Sequence, residues 1–373
     1  MVKVSIIIPV FNVENYLEEC LDSVLAQSLK EIEIICVNDG SVDRSLEILR
    51  EYEQKYDQMI VLDQLNAGQS AARNRALDIA QGKYVYFMDS DDLIVSHMME
   101  ELWEKCEEQD LDVLYFSGTS FYENEELEEK HKNFVNSYYR SGIYEKVCTG
   151  QEMLVQLQEN KDYTVSPCLQ LIRRNLLEEN HLRFTEGIIH EDNCFSFQVL
   201  LSAERAFCVN DIYFYRRVRE ESVMTKEETY KNLRGYFVCL MKQLQFAGTQ
   251  NITDPKVNEK IEYILWRLNF HVQRIYLKVP VADREKFINS CTAYERYFFK
   301  SVILKDVEVN VKNGKKIKKL EKRIRDIKKS HSYRIGRAMT YPVRLIKGGY
   351  KCCLDHGCIY TLKLAVKKIK NRL

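Results

Sequence analysis

Residues 4–10, Val-Ser-Ile-Ile-Ile-Pro-Val, form an almost unbroken apolar run, interrupted only by Ser5 and Pro9. A run without alternation belongs to a strand buried on both faces. Directly after it, Tyr16, Leu17, Cys20, Leu21, Val24 and Leu25 recur at helical spacing. The two periods then trade places down the chain. Ile32–Val37 predicts a second strand, and the stretch holding Leu46, Ile48 and Leu49 a helix; Met59–Leu62 predicts a third strand, and Ala71, Ala72, Ala76, Leu77 and Ile79 a third helix. Lys83–Met88 reads as a fourth strand, followed by a helix around Met98–Cys106 and a strand at Asp112–Phe116. Strand alternating with helix implies crossover units and a mostly parallel sheet, whose ligands bind outside the carboxyl ends of the strands.

Residues 120–180 are mixed and polar, and Glu-rich Glu123–Lys132 reads as a solvated loop. Apolar and aromatic content returns from Phe184 to Tyr215, and helical patterns (Phe237, Leu240, Leu244; Ile261, Ile264, Leu265, Leu268) dominate from about Thr225 to Val311. This gives three regions, 1–225, 226–311 and 312–373, with no internal repeat. With 373 residues, 45% hydrophobic and 29% charged, the chain is ordinary globular protein, and five Pro and 14 Gly exclude collagenous or Pro/Gly-rich disordered character.

The formal net charge is zero, which hides an asymmetry. Residues 312–373 hold 14 Lys and 6 Arg against Glu321, Asp326 and Asp355, a net of +17 that leaves the body at −17. Ile317, Leu320, Ile324 and Ile327, and again Leu362, Val366, Ile369 and Leu373, make apolar stripes among these cations. Basic amphipathic helices read as membrane-surface elements, each cation near an anionic leaflet contributing about 1 kcal/mol. Tyr333, Tyr341, Tyr350 and Tyr360 interleave with the charges, but no nucleic-acid-binding pattern accompanies them, so no nucleic acid is expected. The N-terminus turns polar too soon for a signal peptide, and no apolar run reaches the roughly 18–20 residues of a membrane span. Most of the 12 Cys sit in apolar stretches and read as buried thiols in a reducing cytoplasm. The Cys352-Cys353…His356…Cys358 spacing fits no zinc pattern.

Four loops at predicted strand ends carry candidate chemistry: Pro9-Val10-Phe11-Asn12, Asn38-Asp39-Gly40-Ser41, Asn66 through Asn74, and Asp89-Ser90-Asp91-Asp92. Carboxylates crowded at the end of a buried strand repel one another unless a cation or strong donors hold them, and oxygen-only ligands suit Mg²⁺ or Mn²⁺. Each loop alone also reads as a turn or helix cap. Together, in one predicted layer, they are far more specific.

In their order and spacing these segments resemble family 2 glycosyltransferases of the GT-A fold, over about residues 1–225. The resemblance implies an α/β fold with a Rossmann-like, mostly parallel central sheet, followed here by a helical C-terminal extension. It implies that Pro9, Phe11 and Asp39 hold the nucleobase, with Asp39 accepting from a base N–H, most often of uracil. Arg73 and the Gly68 loop would face the nucleotide-sugar, and Asp89 the ribose and metal. Asp91 would ligate the divalent ion (Mn²⁺ or Mg²⁺) that bridges the diphosphate, and Asp92 would line the sugar pocket. Gly187 through Phe195 is similar to the family's Glu-Asp segment, with Asp192 as base and Glu191 or His190 as substitutes. Tyr213 through Thr225 resembles a segment that closes over the donor diphosphate, with Arg216 and Arg219 as its cations. Glu221 stands where the family often has Gly, and Ser166–Gln170 lacks a common aromatic.

The expected activity is inverting, metal-dependent transfer of a sugar from a nucleotide-sugar to an acceptor hydroxyl. The acceptor would be a glycan or a lipid-linked molecule of the cell surface, with the enzyme held at the inner face of the membrane through 312–373. The alternatives are a non-catalytic sugar-nucleotide or membrane-binding scaffold, and a nucleotidyltransferase of similar fold.

Overall fold

The computed structural model describes residues 1–220, 228–305 and 322. The alternating periods become β1 (Val4–Val10), α1 (Leu17–Leu25), β2 (Ile32–Asp39), α2 (Ser45–Lys55), β3 (Met59–Gln64), α3 (Gln69–Leu77) and β4 (Tyr84–Phe87). Strands β1 and β2 are buried along their whole length, which is why neither shows alternation. The parallel strands stand in the order β3-β2-β1-β4. The chain therefore winds outward from β1 and returns on its other side, leaving a crevice at the carboxyl ends.

There follow β5 (Leu93–Ile94), α4 (Met98–Glu108), β6 (Val113–Tyr122), α5 (Glu125–Lys130), α6 (Gly150–Glu159), β7 (Gln170–Arg173), α7 (Arg174–Glu179), α8 (Asp192–Ser202) and β8 (Ala206–Val218). The full sheet order is β3-β2-β1-β4-β7-β6-β8-β5. It is more mixed than the sequence suggested: β7 runs antiparallel to β4 and β6, and β5 antiparallel to β8. A loop was expected at 123–132, but α5 forms there, with the Asn124 side chain accepting from the Leu127 N–H and Leu127 buried. A single apolar residue gives no periodicity, whereas the cap and the acidic first turn act locally.

Alternate residues of the sheet feed two cores. Val4, Ile6, Ile8 and Tyr86 pack with α1, α2 and α4, while Ile7, Ile35, Phe87 and Ile172 pack with α3, α6 and α8. After β8 come α9 (Tyr230–Thr249), α10 (Pro255–Lys278), α11 (Val281–Ser290) and α12 (Ala293–Phe298). Helix α10 starts on an Asp254 cap with Pro255 in its first turn, and its Val257, Ile261 and Ile264 join the second core. Residues 1–297 form one unit and 298–373 another. The boundaries expected near Thr225 and Val311, the basic stripes and the Cys352–Cys358 cluster lie outside the described residues. All nine described cysteines are free and buried.

One close approach ties α9 to the segment that precedes α8. A Cβ on Gly235 would stand 2.2 Å from the Ile189 carbonyl oxygen, a backbone atom with nowhere to yield. Gly235→Ala is expected to cost about 1–3 kcal/mol by overpacking, seen as an earlier urea midpoint at unchanged slope.

Candidate functional site

The loops after β1 and β2 are bonded to each other. Asn12, at φ +51°, donates its N–H to Ser41 Oγ (3.1 Å), and its Oδ1 accepts the Val42 N–H (2.9 Å). Asp39, 3% exposed, ends β2 and gathers the loop before α3: Oδ1 accepts from Gln64 Nε2 and the Ala67 N–H, and Oδ2 from the Gly68 N–H, each at 2.8 Å. Three bonds leave Asp39 Oδ2 with acceptor capacity to spare. Gly40 combines φ +71° with a backbone neighbour 2.8 Å from where a Cβ would stand, so no other residue fits. Pro9 is buried in β1, and the Phe11 ring beside it is 46% exposed.

Arg73 rises from α3 into the crevice, 1% exposed, and meets two carboxylates. Its Nη2 donates to Asp89 Oδ1 at 2.5 Å and its Nη1 to Glu191 Oε1 at 3.0 Å. The guanidinium lies 5.0 Å from the Phe184 ring, itself stacked on Phe195 at 3.9 Å. Gln69, one turn earlier on α3, also donates to Glu191 Oε1. The loop after β4, the start of α3 and the start of α8 are thus held by one buried cation.

Farther along the β4 loop, the acidic side chains meet β8. Asp91 Oδ2 accepts from Arg219 Nε at 2.7 Å, while the Asp91 carbonyl accepts from Arg217 Nε at 2.9 Å. Asp92 was expected in the sugar pocket, but it is 4% exposed and its Oδ1 accepts the Arg217 N–H at 2.8 Å. Its contact is with β8 because the β5 turn carries it inward. Burial and the neighbouring Asp91 and Asp89 charges hold the Asp92 carboxyl well above the usual range. Arg216 lies over the Phe134 and Tyr138 rings at 5.2 and 5.3 Å, on the side of β8 away from Arg217. Arg217, not singled out in the sequence, clasps both aspartates and reaches Glu19 at 2.5 Å. Strand alternation through Arg216-Arg217 was the available signal. Among the described residues no three acidic, His or Cys side chains converge as metal ligands.

Helix α8 opens with Asp192. Glu191 occupies the cap position, yet its side chain turns to Arg73 rather than to the helix amides. Asp192 Oδ1 accepts the Asn193 N–H (2.9 Å) and Asn193 Nδ2 (3.0 Å). Burial first, and then the Glu191 charge, pushes the Asp192 carboxyl up to about 7. His190, at φ +68°, stacks on Tyr236 at 4.1 Å. Burial, aided by His271, lowers its imidazole to about 4, so it is neutral near pH 7.

A family model described as Glycosyl transferase family 2 matches residues 5–180. The chain is 38% identical over 222 residues to Glycosyltransferase GlyA of Streptococcus pneumoniae serotype 4, a match that covers 59% of this chain and 31% of that protein. The match thus spans less than a third of that relative's length. To the uncharacterized glycosyltransferase YibD of Escherichia coli K12 it is 33% identical over 280 residues, covering 73% of this chain and 80% of that one. The crystal structure of residues 1–349 of Staphylococcus aureus TarS, in complex with UDP-GlcNAc, superposes with a TM-score of 0.60 at 24% identity, over 77% of this chain and 79% of that one. The fold is GT-A, with helices following the sheet domain.

Removing the buried cation has a calculable consequence. Arg73→Met leaves Glu191, whose side chain is 5% exposed, buried beside no compensating charge. The expected loss is about 3–5 kcal/mol, read by equilibrium denaturation, with Arg73→Lys recovering only part of it.

Proposed function

The chain belongs to glycosyltransferase family 2, and we propose that it transfers a sugar, with inversion, from a nucleotide-sugar, a UDP-sugar by the family resemblance, to an acceptor hydroxyl. A cell-surface polysaccharide or glycolipid is the proposed acceptor class. The observation that carries this reading is Asp192: a carboxyl raised to about 7 by its surroundings, at a helix start bonded through Glu191 and Arg73 to the acidic end of β4. A general base works best with a pKa near the operating pH.

In this reading the ionised Asp192 takes the proton of the acceptor hydroxyl. The freed oxygen forms its bond to the anomeric carbon as the bond from that carbon to the diphosphate oxygen breaks. One displacement inverts the anomeric centre and releases the nucleoside diphosphate. Arg73, engaged twice, keeps Asp89 and the Glu191-Asp192 step at a fixed separation, which supports a positioning role. Among the described residues Arg219 meets Asp91 through Nε, which leaves its terminal nitrogens to donate to diphosphate oxygens in this reading. Asp39, bonded to the Gly68 N–H, keeps one acceptor site for a base N–H, Pro9 and Phe11 complete the proposed base site, and Arg216 stays a second cation held against aromatic rings.

A divalent ion fits the donor set. Asp89 Oδ2 and Asp91 Oδ1 have no hydrogen-bond partner among the described residues, and both are hard oxygens of the kind Mg²⁺ or Mn²⁺ takes together with substrate phosphates. Asp91, with Asp89, would hold the ion, which when bound supplies positive charge to the departing diphosphate.

Among the described residues no helix is long and apolar enough to cross a membrane. The +17 of residues 312–373 supports docking on an anionic surface, at the inner face of the cell membrane, as the way the enzyme meets its acceptor.

Release of nucleoside diphosphate from a panel of UDP-sugars tests the reading. Asp192→Asn is expected to lower kcat by about 10²-fold or more, and unchanged turnover would remove Asp192 as base. Pyrophosphate in place of UDP would make the protein a nucleotidyltransferase. In the wild type, kcat/KM should climb with pH through a limb near 7 as Asp192 loses its proton. Glu191→Gln removes the charge that raises Asp192, so the limb moves to lower pH. The same shift affects stability. The folded protein keeps a proton on Asp192 that the unfolded chain releases between about pH 4 and 7, so stability falls as pH rises through that window. Asp192→Asn abolishes that loss, and its Tm at pH 8 is expected to exceed the wild type's by at least ~2 °C.

A further inference from the structure

Six rings run in contact from His190, two residues before the candidate base, to the outer face of α10. His190, next to Glu191, stacks on Tyr236 at 4.1 Å, and Tyr236 on His271 at 4.9 Å. His271 meets Phe270 edge-on at 6.2 Å, Phe270 meets Trp266 at 5.8 Å, and Trp266 meets Tyr263 at 5.9 Å. The inner three rings are half-buried. The outer three stand open: Tyr263, Trp266 and Phe270 are 51%, 58% and 51% exposed. Their planes lie within 23° of one another from ring to ring, as neighbouring steps of one helix face.

Three large aromatic side chains left open on a single face are costly unless something covers them. We propose that this row is a platform for the acceptor glycan, which lies along α10 and leads its growing end toward Asp192. The proposal rests on the glycosyltransferase reading and names the acceptor's class within it as an oligomeric or polymeric sugar. The C–H face of a pyranose is apolar and its hydrogens carry slight positive charge, so it packs on the electron-rich face of an aromatic ring. Such a contact tolerates different sugars, because it reads the ring face and not the hydroxyl pattern.

Two observations favour a glycan over a lipid surface. The row continues inward through Tyr236 to His190, beside Glu191, so a chain seated on the outer three rings is aimed at the site, whereas a flat bilayer would have no use for the inner ones. The cations of α10 are also largely engaged by acids: Lys260 meets Glu259 at 3.2 Å, Arg274 and Lys278 both meet Glu228, and Lys256 and Arg267 share the helix with Glu262. An anionic leaflet is attracted by net positive charge and not by such a mixture.

Trp266 makes the test direct, because the chain has only two tryptophans and the other, Trp103, lies under the Lys3 ammonium on α4. Tryptophan emission of the full chain would be titrated with hexasaccharides of glucose, galactose and N-acetylglucosamine, with the monosaccharides as controls, and separately with vesicles of phosphatidylglycerol in phosphatidylcholine. The expected result is a saturable blue shift or quench with at least one hexasaccharide, tighter than with its monosaccharide. That response should vanish in Trp266→Phe. In the doubly substituted Tyr263→Ala/Phe270→Ala, where Trp266 still reports, affinity should weaken by about tenfold. All three side chains are exposed, so far-UV circular dichroism of the variants should match the wild type. Silence of Trp266 to every hexasaccharide, or a shift with vesicles alone, overturns the proposal. Binding of UDP in the presence of Mn²⁺, followed by calorimetry on the same wild-type sample, reports the underlying reading separately: its absence fails that reading, whereas its presence beside a silent Trp266 fails the platform alone.

Discussion

The structure of the site hangs on one guanidinium. Arg73 is almost wholly excluded from solvent, and a charge in that position persists only with partners of excellent geometry. It has them in Asp89, from the loop after β4, and Glu191, from the segment before α8. Neither carboxylate could hold its place alone, because Glu191 is buried and Asp89 stands at the end of a strand already crowded with acid. The pairing fixes where α8 begins. Asp192, the next residue, then receives its burial and its unfavourable neighbour from that arrangement, and both raise its pKa. The same contact that stabilises the fold thereby leaves the adjacent carboxyl able to take up a proton near neutral pH.

A second electrostatic arrangement lies a few residues away. Asp89, Asp91 and Asp92 repel one another, and the protein divides them among different partners: Arg73, Arg219 and the Arg217 backbone. Only Asp92 is taken out of solvent, and its carboxyl is held well above the usual range. The two that stay partly exposed are the ones left with an acceptor oxygen toward the crevice. Strand β8 makes this division possible, since its alternation sends Arg216 to one side and Arg217 to the other.

The parallel strands and the four strand-end loops are legible in the sequence because each depends on a local pattern. Unbroken apolar runs have one reading, as do glycines where φ is positive, and Asp39 and Asp91 follow a strand end wherever the strand is found. Glu191 and Asp192 are legible as a pair, but not which of them turns to Arg73. The inward turn of Asp92, the clasp of Arg217 and the helix at Glu125–Lys130 escaped that reading. The first two depend on β8 arriving beside β5, from more than a hundred residues away, and the third on a single capping bond.

By itself, then, the sequence determined the alternating α/β plan, the positions of the candidate loops and the separation of an acidic body from a basic tail. These are properties of short segments, in which burial period, turn chemistry and charge are set by neighbours along the chain. Tertiary structure alone decided which carboxylate is paired, which is buried and which is pushed toward a neutral-range pKa. A pKa depends on distance and solvent exclusion, and both are set by residues far apart in sequence. The aromatic row has the same origin: His190, Tyr236 and the rings of α10 become one path only when α9 and α10 pack beside the start of α8.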